Sequence, residues 1–222
     1  MSVAIVLALL AVFQVTQPPP RTPDGRVDLA GVWSVGTTFG NIGQPPLQPW
    51  AEALLQERRR TLSKNDPEGF CLPAGVPRIS PFPYKIVQTP TLVVLLDEGN
   101  VHSYRQFFMD GREHPKNAEP LWMGHSIARW EGDTLVVDTV GFNEKTWLNG
   151  QGVPHTDKLH VVERYTRPEF GKLEIEITLE DTGAFTTPHT FRRTHTLMPG
   201  AELLEYVCNE FNIDKDRLVG AQ

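Results

Sequence analysis

The sequence predicts a single, mainly β domain of about ten antiparallel strands, closed as an up-and-down barrel or bent into a strongly curved sheet, with one N-terminal helix. Three observations predict it. Segments of strand length follow one another from Tyr84 to Asn209, with Glu98-Gly99-Asn100, Glu131-Gly132-Asp133, Glu169-Phe170-Gly171 and Pro199-Gly200-Ala201 as turns between them. The stretch Trp122–Trp147 reads as a hairpin of Ser126–Trp130 and Thr134–Val140, with Gly132 free to take the positive φ of a tight turn. Leu173, Ile175, Ile177 and Leu179 alternate with Glu174, Glu176 and Thr178, which gives that strand one dry face and one wet face.

Size and charge narrow the classes. The 222 residues suit one domain with a short N-terminal extension, and 40 % hydrophobic with 22 % charged residues supply one sizeable core. A net charge of -6 excludes the broadly basic surface that a nucleic-acid binder turns to phosphate. The one basic run, Arg58-Arg59-Arg60, follows Glu52 and Glu57 on a predicted helix and reads as its solvated face.

In chain order, residues 1–17 read as a signal peptide. Their apolar run, Val3 to Phe13, is too short for a membrane-crossing helix of ~20 residues and has the length of a secretory h-region. No Lys or Arg precedes it and no A-x-A site follows, so an uncleaved interfacial anchor or a misassigned start codon is the alternative. The expected mature protein is periplasmic or extracellular, without a transmembrane helix. Residues 18–30 form a polar, Pro-rich lead-in whose Pro18-Pro19-Pro20 tract reads as an extended linker, and 31–222 the domain. Gly31-Val32-Trp33 opens the first strand, and 36–48 is a Gly/Pro-rich loop. A helix follows over 49–62, with Pro49 in its first turn, Trp50, Leu54 and Leu55 on one face and arginines in its C-terminal half. Prolines 67, 73, 77, 81 and 83 keep the next segment out of any ladder. The predicted strands are then 84–89, 92–97, 101–109, the hairpin, 159–166, 172–180, 190–197 and 202–209, with a short outer helix over 212–222. Two cysteines in an exported chain predict a Cys71–Cys208 disulfide; two separate buried thiols are the alternative.

Gly31-Val32-Trp33, placed just after the lead-in and before a run of strands, resembles the opening of the lipocalin and wider calycin families. That resemblance implies a barrel holding a small, often apolar ligand, with the Trp across its closed end and the Gly allowing close backbone approach. Five further phrases, Cys71–Arg78, Lys85–Pro90, Arg129–Val137, Gly141–Asn143 and Leu204–Glu210, resemble a family of uncharacterised exported bacterial proteins and imply an exported single domain. They carry no catalytic residues over.

Candidate chemistry lies where polar residues fall in phase with apolar strand faces. Arg105, Glu163, Arg193, His195 and Glu205 occupy such positions and are placed either to meet inside a barrel or to pair across an exposed sheet. The expected ligand-binding set is Tyr104, Arg105, Trp122, Trp130, Arg193 and His195. The expected acid–base set is His125, His155, Asp157, Glu163 and Glu205. His155 and Asp157 share a loop, where a histidine serves either as a base or as a turn residue. No His, Cys or acid spacing converges on a metal, and no phosphate-cradling glycine motif or G-x-S-x-G is present, so neither metal nor cofactor is expected. The leading expectation is an exported binder of a small, partly apolar molecule. The alternatives are a cofactor-independent lyase, isomerase or hydratase using the same cavity, and an envelope interaction module using sheet edges.

Overall fold

A computed structural model describes residues 17–36, 40–78, 82–99, 101, 103–117 and 119–211. The predicted signal segment, apart from Gln17, and the predicted tail helix lie outside the described residues. Nine strands form a closed barrel in chain order: β1 (Gly31–Ser34), β2 (Tyr84–Gln88), β3 (Leu92–Asp97), β4 (Tyr104–Phe108), β5 (His125–Glu131), β6 (Thr134–Val140), β7 (His160–Glu169), β8 (Lys172–Glu180) and β9 (His189–Leu197). Helix α1 spans Pro49–Arg60 and a short α2 spans Cys208–Phe211.

The strands form where their side chains alternate. In β8, Leu173, Ile175, Ile177 and Leu179 are buried while the intervening residues face outward. The β5–β6 hairpin pairs His125 with Val140 through to Glu131 with Thr134, and its turn places Gly132 at φ +60°. Closure comes from β1 and β9, which pair Trp33 with Leu197 and Ser34 with Thr196.

Three expectations are corrected. The barrel is not purely antiparallel: β4 and β5 run parallel, paired only at Phe107↔Ser126 and Phe108↔Ile127. The crossover over 109–124 has the length a parallel connection needs. The tenth strand is absent. Because β1 and β9 already close the barrel, no edge remains for 202–209, which runs as irregular chain into α2. Its position is fixed by the Cys71–Cys208 disulfide, by Leu204 N donating to Glu98 Oε2 (2.8 Å) and by the tilted contact of the Tyr206 and Phe82 rings. On α1 the buried residues are Ala51 and Leu55, while Trp50 is exposed and its Nε1 donates to Gly183 O.

The end of the lead-in packs into the core. Val27 and Leu29 are buried, and Leu29 N donates to the Gln88 side chain. Trp33 is fully buried, its Nε1 donates to Leu29 O (3.0 Å), and the Arg167 guanidinium lies 4.9 Å from its ring centroid. Arg167 also donates to Asp28 O, so lead-in, β1 and β7 meet around one indole. Gly31 is required beside it: a Cβ there would stand 2.6 Å from Leu197 Cδ1. Trp33→Ala is therefore expected to cost about 3–5 kcal/mol in denaturant unfolding. A loss below about 1 kcal/mol would show that this end does not depend on the indole.

Candidate functional site

The parallel seam produces a cleft. β5 begins only at His125, so the first half of β4 faces the incoming chain Leu121–Gly124 instead of a strand. The opening has a volume of about 550 Å³ and is lined by Tyr104, Arg105, Phe108, Trp122, Met123 and His125, among others. Its walls are largely aromatic and apolar, with a few polar groups, which is the composition of a small-molecule site.

At its base lies a buried ion pair. Arg105 donates from Nη2 to Glu163 Oε2 (2.5 Å), from Nη1 to Oε1 (3.1 Å), and from Nη2 to Thr139 Oγ1 (3.3 Å). Tyr165 donates its hydroxyl to Glu163 Oε1 (3.0 Å), and Thr139 shares a hydrogen bond with Ser126 (2.9 Å). Burial alone would pull the Arg105 guanidinium down, but the Glu163 carboxylate outweighs it and holds the group above its ordinary value. Burial, reinforced by Glu163, keeps the Tyr165 phenol protonated far above its usual range, as a donor must be.

Arg193 and His195 share the barrel interior with this pair. Arg193 is 2 % exposed and donates Nη1 to Pro77 O (2.5 Å); its Nε and Nη2 have no partner among the described residues. Burial lowers it to about 10. His195 is fully buried, shares a hydrogen bond from Nδ1 with the Tyr84 hydroxyl (2.7 Å), and is pressed down to about 3 by burial and then by Arg193.

A second polar array runs across the outer face of β5 to β8. His125 Nδ1 meets His114 Nδ1 (2.9 Å), His114 Nε2 meets Asp138 Oδ1 (3.0 Å), and the same oxygen meets His160 Nε2 (3.0 Å). His160 Nδ1 ends the row on Glu180 (3.2 Å). The hydrogen bond from His160 holds the Asp138 carboxyl below the usual range, and the same bond raises the His160 imidazole.

Of the predicted residues, Tyr104, Arg105, Trp122 and His125 come together at the cleft, Glu163 lies behind it through Arg105, and Arg193 and His195 occupy the interior. The others do not join them. His155 is buried in the β6–β7 connection with both ring nitrogens engaged, by Thr146 Oγ1 (2.7 Å) and Thr156 O (3.0 Å). Asp157 is exposed; the acid that organises that region is Asp181, which accepts from Thr156, Gly183 and Ala184. Glu205 is exposed on the C-terminal segment, and Trp130 stands at the far end of β5, beside Arg26. The sequence reading missed Phe108 and Met123 at the cleft and His114, Asp138 and His160 on the outer face. Asp138 and His160 were readable as the outward partners of Val137 and Val161, whereas His114, in the crossover, had no periodic signal. Among the described residues no group of three or more His, Cys, Asp or Glu is arranged to hold a metal.

Fold and cleft together define a closed, mixed nine-stranded barrel with an aromatic-lined lateral opening. Comparison with family models, curated proteins and solved structures returned no match.

Two outcomes test this site. Glu163→Leu should cost about 3–5 kcal/mol by stranding Arg105, whereas the double variant Arg105→Met, Glu163→Leu should be more stable than Glu163→Leu alone. Additive losses in denaturant unfolding would show that the two residues are not coupled. His195 contributes stability with a definite sign: its folded value of about 3 lies below the ordinary imidazole value of 6.5, so an unfolded chain takes up the proton first. That stability is present above pH 6.5 and is lost as pH falls towards 3. His195→Phe should flatten the slope of unfolding free energy against pH in that window; an unchanged slope would place the titration elsewhere.

Proposed function

We propose that the protein binds a small, partly apolar molecule in the β4–β5 cleft, and that it works outside the reducing cytosol. The observation that carries the first part is the cleft: an aromatic-lined opening beside the parallel seam, where β4 and β5 pair at only two positions. The charge balance at its base favours an uncharged ligand, since Glu163 already pairs with the Arg105 guanidinium. The calycin-like reading is supported by the burial of Trp33 and the tight approach at Gly31, and the extracytosolic reading by the Cys71–Cys208 bond. No helix of the described residues is long and apolar enough to cross a membrane. Closure through β1 and β9 leaves little sheet edge for an interaction module.

The test is native mass spectrometry of the protein purified from its own source, followed by titration of any retained molecule against tryptophan emission. A defined adduct is expected, with affinity falling about tenfold or more in Trp122→Ala. An apo mass, together with no saturable binding from a panel of small aromatic and aliphatic molecules, would overturn the reading.

A further inference from the structure

His125 enters the cleft with its tautomer set from outside the barrel. A carboxylate accepts hydrogen bonds and does not donate them, so the 3.0 Å contact of His114 Nε2 with Asp138 Oδ1 places a proton on that nitrogen. A neutral His114 then offers a lone pair at Nδ1. The 2.9 Å contact between His114 Nδ1 and His125 Nδ1 needs one proton, and His125 must supply it. Its other ring nitrogen, Nε2, is left as a bare acceptor with no hydrogen-bond partner among the described residues. The ring itself is half-buried, stacked on Phe108 at 5.5 Å and 23°, and lines the cleft beside Trp122.

Resting on the ligand-binding reading above, we infer that His125 Nε2 is the hydrogen-bond acceptor of the cleft, and that the bound molecule is a planar, partly apolar alcohol or phenol whose O–H donates to it. The stacked Phe108 and His125 rings suit a flat apolar body, and the acceptor selects its hydroxyl. The titratable groups around His125 agree with a neutral imidazole. His114 stands edge-on to it, Arg112 lies on the other member of the stack, 3.8 Å from the Phe108 centroid, and Asp138 acts only through His114. Burial, then His114 and Arg112, hold the His125 imidazole below its ordinary value.

Naphthol and its methyl ether, methoxynaphthalene, differ in the donor alone and are titrated against the full chain at neutral pH. Naphthol is expected to bind about five- to tenfold more tightly, the factor one neutral hydrogen bond provides. His125→Phe, which keeps an aromatic ring on Phe108, should abolish that preference, so that naphthol and its ether bind alike. Acidification of the wild type through the histidine range should also abolish it, because Nε2 then carries a proton. Equal binding of the two probes by the wild type would overturn the inference and leave the cleft reading standing. Saturable binding of neither probe would overturn the inference, and joined to an apo mass and an empty panel it would remove the cleft reading as well.

Discussion

The ion pair between Arg105 and Glu163 is the constraint around which the barrel is arranged. β4 has a full antiparallel partner on one side, β3, and only two paired positions on the other. A strand attached so unevenly needs a second anchor. Arg105 supplies it by reaching across the interior to β7, where Glu163 takes two of its donors and Tyr165 takes up part of the carboxylate's remaining capacity. Thr139 and Ser126 extend the same hydrogen-bonded row through β6 to β5. A buried ion pair of this kind is weak as a source of net stability but costly to break on one side, and so it specifies arrangement more than it stabilises.

The cleft follows from that arrangement. With β4 held against the far wall and β5 entering late from a long crossover, the first half of β4 has no strand beside it. Aromatic residues from β4 and from the crossover line the gap, and the ion pair closes its floor. The floor is therefore polar but charge-balanced, and the His125 imidazole stands at the rim. Its partner network runs along the outer surface of β6 to β8, where it is separated from the interior by the alternation of the strands themselves.

Much of this was legible in the sequence because it depends on local period. The β5–β6 hairpin, the dry face of β8 and the phase that Glu163, Arg193 and His195 share with apolar neighbours follow from a two-residue repeat and a few turn residues; that this phase points inward is decided by barrel closure. The misreadings have a common cause: they concern which strand lies next to which. Leu203, Glu205 and Val207 alternate as well as a real strand does, but the barrel had closed before they arrived. Strand direction leaves no trace in alternation, and only the length of 109–124 hinted that β4 and β5 run parallel. Trp50 and Ala51 sit one position apart on α1, and which of them is covered depends on what packs there, not on the helix. His114 meets His125 and Asp138 only in the folded chain.

At the seam, where β4 and β5 pair at only two positions, the Arg105–Glu163 pair rather than ladder hydrogen bonds holds β4. Native-state hydrogen exchange on the wild type and on Glu163→Gln tests it most directly. The account predicts that exchange accelerates selectively, by about two orders of magnitude, in β4 and at the start of β5, while β7 and β8 keep most of their protection relative to global unfolding. Uniform acceleration across the barrel, or unchanged protection in β4, would contradict it.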